Sequence, residues 1–331
     1  MSLYSLYIRR WEEKLATADT NRVVRKFDFG RKWLVMARAP HLFESVEDIL
    51  RNSDEFFAYP GVRDYRLRRG ELGFSSPVAS PFPENNHVRA AFFPARGPKR
   101  AVVVLPQWNA GPDGHIGLCK LLNRFGITAL RLTLAYHGVR RPPETARADY
   151  HLSSNLGRTI HAVRQSVIDA RACLDWLESE GYERLGILGT SLGSCIAFLV
   201  TAHDARVRAG VFNHVALYVG DVVWTGLSTR HVRDSLREQL TQEDLRRCWS
   251  VISPGPYLER LRGRELESLL VWARHDSSFL PEYSRQVLAE FERLRLRHQV
   301  FCLPCGHYTS GRFPFNLMDG LAMSRFLAKK L

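Results

Sequence analysis

Leu185-Gly186-Ile187-Leu188-Gly189-Thr190-Ser191-Leu192-Gly193-Ser194 runs a short apolar strand straight into Gly-x-Ser-x-Gly. Ile196, Ala197, Leu199 and Val200 continue behind it at helical spacing. Crowding explains this spelling. A serine at the tip of a tight strand-to-helix turn has a strained backbone, and the residues two before and two after it pass close to that turn. Side chains at positions 189 and 193 would collide there, so glycine serves at both. The turn lifts the Ser191 hydroxyl above a sheet and aims the first amides of the next helix toward it, as an acyl-transfer nucleophile requires.

A serine hydroxyl needs a base to take its proton, and the base needs a carboxylate to orient it. Downstream, Leu269-Leu270-Val271-Trp272-Ala273 reads as a strand whose following loop carries Arg274-His275-Asp276. His298-Gln299-Val300-Phe301-Cys302-Leu303 reads as another, followed by Pro304-Cys305-Gly306-His307. Both candidates lie just past the carboxyl end of a strand, where open α/β sheets place their chemistry. The order serine, acid, histidine and the strand-end positions resemble the α/β-hydrolase superfamily, with the likeness running from Phe74 to Leu331. The resemblance implies Ser191 as nucleophile, Asp276 as acid and His307 as base. His275 is the weaker base because an acid loop leading into a helix over 281–294 fits that pattern better. His298 stands at the start of its strand, on the wrong side of the sheet. Asp319 falls in the terminal helical segment, where a solvent-facing or capping role is expected. The strand 209–212 ends in Asn213-His214 and offers no carboxylate before Asp221.

The same resemblance implies an oxyanion hole of two backbone amides, one of them from Leu192. The other follows the β-branched strand Arg100 to Leu105, where many relatives carry His-Gly and this chain has Pro106-Gln107-Trp108-Asn109-Ala110-Gly111. Alignment by strand end points to Trp108 as the donor, with Gln107 and Asn109 as alternatives. Tyr136, His137, Asn213 and His214 fall at strand ends and are candidates to line a pocket, together with Gln107, Asn109 and Trp224.

The 331 residues are 45% hydrophobic, enough for one large α/β domain with additions. Strands alternating with helices predict a mostly parallel central sheet with helices on both faces. Phe74 to Val78 and Val88 to Phe93, joined by a turn over 81–86, predict an antiparallel lead-in. Residues 1–70 form a mainly helical extension, with helices over 7–15 and over 45–57, the second opening on Ser45 as cap and Asp48 three residues on. Residues 71–331 form the catalytic domain. Within it, residues 217–255 are a helical insertion, read either as a cap bringing Val222, Val223, Trp224, Leu227, Leu236 and Leu240 to an acyl group or as a surface-packed pair.

The net charge is +13, yet only seven of 47 basic residues are lysine and the arginines are scattered. That excludes a clustered nucleic-acid footprint and leaves weak attraction to anionic surfaces. Six cysteines in a chain this long do not make a disulfide framework, and Cys302-x-x-Cys305 belongs to the strand that delivers His307. Neither a phosphate-binding Gly-x-x-x-x-Gly-Lys-Ser/Thr nor a His-Glu-x-x-His occurs, so no metal or nucleotide cofactor is expected. The first residues lack the charge and apolar core of a signal peptide, and no apolar run reaches membrane-spanning length, so a soluble cytoplasmic chain is expected. The expected chemistry is hydrolysis of a small-molecule carboxylic ester or thioester through an acyl-enzyme. An acyltransferase or peptidase with the same three residues, and a non-catalytic binding protein of the same fold, stay open as alternatives, and the oligomeric state is not legible.

Overall fold

In a computed structural model, residues 2–18, 22–34 and 42–331 are described. Nine strands form one sheet: β1 (Arg66–Arg68), β2 (Glu71–Ser75), β3 (His87–Phe93), β4 (Arg100–Leu105), β5 (Thr128–Leu132), β6 (Arg184–Thr190), β7 (Val207–Asn213), β8 (Glu267–Ala273) and β9 (His298–Leu303). Their spatial order is 1-2-3-5-4-6-7-8-9. The strands from β4 onward pair in parallel, while β1, β2 and β3 are antiparallel and β3 joins the parallel part through β5.

The helices are α1 (Leu3–Thr17), α2 (Leu42–Arg51), α3 (Ser53–Phe56), α4 (Ile116–Arg124), α5 (Leu156–Ser179), α6 (Leu192–His203), α7 (Val219–Thr225), α8 (Arg230–Asp234), α9 (Gln242–Cys248), α10 (Pro281–Arg293) and α11 (Phe315–Lys330). Alternation along each central strand divides the core in two. Val102 and Val104 of β4 pack with Cys119 and Leu122 of α4, Phe326 and Leu327 of α11 and Ile8 of α1. Ala101, Val103 and Leu105 point the other way, into a core shared with α5, α6 and α10. Burial on both faces is why these strands read as unbroken apolar runs.

Several element boundaries differ from the sequence reading. Ser45 does not cap a helix. It lies inside α2, because the apolar spacing of Val46, Ile49 and Leu50 extends backward through Phe43 and carries the helix past it. Within the helical insertion expected over 217–255, the stretch from Arg230 to Cys248 is two short helices, α8 and α9, the latter opened by a capping box of Thr241 and Asp244. The strand β1, three exposed residues long, was not anticipated. Described parts of the first 70 residues pack on the rest of the chain: α2 lies against α9, and the segment around Asp28 exchanges backbone bonds with Ser154 and Leu156 at the start of α5.

β6, β4 and α6 meet at one crossing. A Cβ on Gly193 would stand 2.3 Å from Leu105 O and 2.5 Å from Pro106 O, and one on Gly189 2.1 Å from Gly193 O. All these atoms are backbone and cannot swing aside. Replacing Gly193 by alanine is expected to cost about 3 kcal/mol, the upper end for overpacking. Gly117→Ala, where an added Cβ meets nothing within 4 Å, is expected to be neutral or slightly stabilising. Urea denaturation of the two variants checks the contrast.

Candidate active site

The crossing leaves Ser191, between β6 and α6, at φ 57° and ψ −123°, a conformation that non-glycine residues hold only when their surroundings impose it. Its own amide donates to Asn213 O at 2.8 Å. Its Oγ lies 3.1 Å from His307 Nε2. His307 stands in the loop after β9, and its Nδ1 lies 3.0 Å from Asp276 Oδ2, in the loop after β8. Because Nδ1 donates to the carboxylate, Nε2 is left to accept the Ser191 hydroxyl proton. The other carboxylate oxygen, Asp276 Oδ1, accepts from the amides of Ser278 and Phe279 at 2.8 and 2.7 Å. Phe279 also stacks flat on the imidazole, ring centres 5.5 Å apart and planes within 7°.

His214 was expected only as a pocket residue. It reaches the same carboxylate, Nδ1 to Asp276 Oδ2 at 2.8 Å, so Asp276 serves two imidazoles. Burial alone would raise the Asp276 pKa; the charge and hydrogen bonds of His307 and His214 more than offset it and hold the carboxyl well below its usual range. For His307, burial works against the charged ring, while the charge and hydrogen bond of Asp276, with a contribution from Glu12, prevail and raise its pKa above the usual imidazole value.

Ser191, Leu192 and His307 open on a cavity of about 970 Å³, which Gln107, Trp108, Asn109, Asn213 and His214 also line. The amides of Leu192 and Trp108 donate to no acceptor among the described residues. Asn109 is different, since its amide donates to His137 Nε2 at 3.1 Å. The Trp108 ring stacks on His231 at 5.7 Å and lies 5.2 Å from the Arg147 guanidinium, and its Nε1 donates to Ala148 O.

Three expected pocket residues are elsewhere. Tyr136 is fully buried among Phe82 and Tyr150. His137 lies behind the Asn109 loop, its Nδ1 donating to Ala135 O at 2.8 Å. Trp224 is half-buried on α7 but does not line the cavity; Val219, Val222 and Val223 of the same helix do. A strand-end position sets where a backbone points, and these side chains turn inward or away from there. Asp319 is corrected in the opposite sense. It is buried against the end of β7, accepts from Asn213 Nδ2 at 2.7 Å and lines the cavity. Burial raises its carboxyl pKa to about 6. Glu12, on α1, was missed altogether. It is buried beside His307, and no motif marks a glutamate in an amphipathic helix far from the serine.

The parallel sheet, the strained serine at a strand-to-helix crossing, and an acid and a histidine just past the ends of β8 and β9 define the α/β-hydrolase fold, and this is the fold of the chain. More particularly, residues 116–265 match the family model described as Alpha/beta hydrolase domain containing 18, which is less than half of the chain. No curated protein matches in sequence. Among solved structures, acetyl xylan esterase 1 from Thermoanaerobacterium sp. JW/SL YS485 superposes with a TM-score of 0.61 at 15% identity, over 96% of this chain and 98% of that one. The acetyl xylan esterase from Paenibacillus sp. R4 gives 0.62 at 15% identity, over 96% and 99%. Pyrococcus horikoshii acylaminoacyl peptidase gives 0.60 at 14% identity over 81% of this chain, which spans only 42% of that longer one. At such identities the likeness is one of fold. No helix among the described residues is long and apolar enough to cross a membrane.

Burial holds His115, His137, His161 and His203 down at about 4, and His151 well below its usual value. In the unfolded chain these rings take protons near pH 6.5. Their stabilising effect is therefore complete above pH 6.5 and is lost as pH falls toward 4. His307 and Asp319, whose pKa values are raised, act in the opposite sense but are outnumbered. The melting temperature is expected to drop between pH 7 and pH 5, and calorimetry across that range checks it.

Proposed function

We propose that the chain is a serine hydrolase of carboxylic esters. The observation that carries this reading is the unbroken line from Ser191 Oγ to His307 Nε2 (3.1 Å) and from His307 Nδ1 to Asp276 Oδ2 (3.0 Å). Both lengths lie within the range for proton-transferring partners. Ser191 attacks the ester carbonyl while His307 takes its proton, and Asp276 steadies the imidazolium that results. The Leu192 and Trp108 amides hold the oxyanion; one such donor is worth about 10²–10³ in rate. The tetrahedral intermediate collapses as His307 protonates the departing alkoxide, leaving an acyl-Ser191. Water, deprotonated by the same imidazole, then releases the acid.

Val219, Val222, Val223 and Cys195, which line the cavity and belong to one apolar cluster with Leu192, suit an uncharged acyl group. The fold is shared with esterases that match nearly end to end, and with a peptidase of which the match spans only 42%.

Ser191→Ala is expected to lower kcat at least about 10³-fold and to abolish fluorophosphonate labelling, with little change in melting temperature. Label mapped to the Ser191 peptide in the unmodified chain, together with turnover of a p-nitrophenyl ester series, tests the proposal. Retention of more than a few per cent of activity in Ser191→Ala would defeat it.

The base works only as neutral imidazole. With the His307 pKa raised, kcat/KM should climb with pH along a limb centred above 6.5, the ordinary histidine value. A pH–rate profile with its midpoint below 6.5 would contradict the assigned base.

A further inference from the structure

We propose that Glu12, carried by the N-terminal helix α1, is a positioning residue that sets the His307 loop against the Asp276 loop. The inference rests on His307 and Asp276 serving as base and acid.

Glu12 is 1% exposed and makes no ion pair among the described residues. Its two oxygens accept four hydrogen bonds. Oε1 receives the Thr309 amide at 2.7 Å and the Thr309 hydroxyl at 2.8 Å. Oε2 receives the Tyr308 amide at 3.1 Å and the Ser277 hydroxyl at 2.9 Å. Tyr308 follows His307 directly and Ser277 follows Asp276 directly, so a single carboxylate spans the two residues whose side chains must meet at 3.0 Å. Thr309 extends the hold, because its Oγ1 also accepts from the Gly306 amide at 2.8 Å, on the other side of His307.

The backbone has been shaped around this group. A Cβ on Gly306 would stand 2.3 Å from Glu12 Cδ, so glycine immediately before His307 leaves room for the carboxyl. The helix is also anchored independently of Glu12. Ile8 sits in the core, Trp11 packs on Phe315, and the Tyr4 hydroxyl donates to Pro304 O.

A role in fold stability alone explains this poorly. A carboxylate buried without a cation is expensive even when hydrogen-bonded, and a neutral side chain would close the gap between α1 and the loop with less desolvation. A negative charge does have a use beside an imidazole that becomes a cation during turnover. The titratable groups around the ring are Asp276, His214 at 4.8 Å between ring centres, and Tyr308, whose hydroxyl accepts from Arg22. Those facing Glu12 are Cys305 and His275, the latter flanked by Arg9 and Arg274. Of the anions, Asp276 and Glu12 both act to raise the His307 pKa.

Glu12→Gln keeps the size and one acceptor oxygen but puts an amide where two donors now arrive. With a p-nitrophenyl ester as probe, kcat should fall about 10²-fold, the effect of a loop displaced on the ångström scale, with KM within two-fold. The acid limb of the pH profile should move to lower pH, because a negative charge near the imidazole is gone. NMR titration of His307 in the Ser191→Ala background gives the same shift without any turnover. If Glu12→Gln does not fold, Thr309→Val removes two of the links while leaving α1 and the Glu12 charge untouched, and is expected to lower kcat in smaller measure with the acid limb in place; kcat within two-fold in that variant overturns the positioning role. A folded variant with kcat within two-fold and an unmoved His307 titration overturns the proposal. Should the unmodified chain neither label at Ser191 nor hydrolyse ester, the esterase reading fails by itself, and the His307 titration still decides the part played by Glu12.

Discussion

Three pieces of backbone pass within contact distance beneath Ser191: the end of β4, the end of β6 and the first turn of α6. Gly193 lies so close to the carbonyls of Leu105 and Pro106 that no side chain fits between them. This packing is covalent geometry and van der Waals contact, independent of pH and salt, and the positive φ at Ser191 follows from it. The loop after β4, which carries Trp108, is thereby held next to the first amides of α6. The proposed nucleophile and oxyanion donors are thus placed by the same constraint. Further strain gathers nearby: Asn109, His115 and His214, which line the cavity, also hold positive φ, at the ends of neighbouring elements that must turn sharply to face it.

The second organising element is electrostatic. Asp276 is buried and accepts two amides on one oxygen and approaches two imidazoles with the other. Each partner favours the ionised carboxylate, and their sum exceeds the cost of burying it. The consequence passes to His307, whose pKa rises even though the ring is largely enclosed. Histidines nearby without such a carboxylate go the other way. His137, with only a carbonyl and an amide as partners, stays neutral to about pH 4. That neutrality suits its place, since an imidazolium at His137 would have no lone pair for the Asn109 amide.

Sequence legibility follows the range of the interactions. Ser191 could be read because its neighbours two residues away are under steric compulsion, and steric compulsion leaves glycine. Asp276 and His307 could be read because parallel strands announce themselves as apolar runs and the sheet presents its loops at one end. Asp319 could not be read. Its environment depends on how α11 lies against β7, and a lone aspartate in a helix has the same local pattern whether it faces solvent or Asn213. Tyr136, His137 and Trp224 were misplaced for a related reason: a strand end predicts where the backbone goes, while the side-chain direction is set by packing against distant residues such as Phe82 and Tyr150.

Glu12 marks the far limit of that range. Its four donors come from residues 265 to 297 positions away, and every one of them is a small hydroxyl or a backbone amide that the sequence pattern does not distinguish. Only Gly306 carries a trace, and it reads equally as an ordinary turn glycine before a histidine. Catalytic loops on this kind of sheet are mobile by default, being long connections at the carboxyl ends of strands. A rigid helix that donates one acceptor pair to two such loops reduces their freedom relative to each other more than contacts within either loop could. The extension thereby bears on a site whose chemical groups all lie far along the chain, and the coupling is visible only when the fold brings the two ends together.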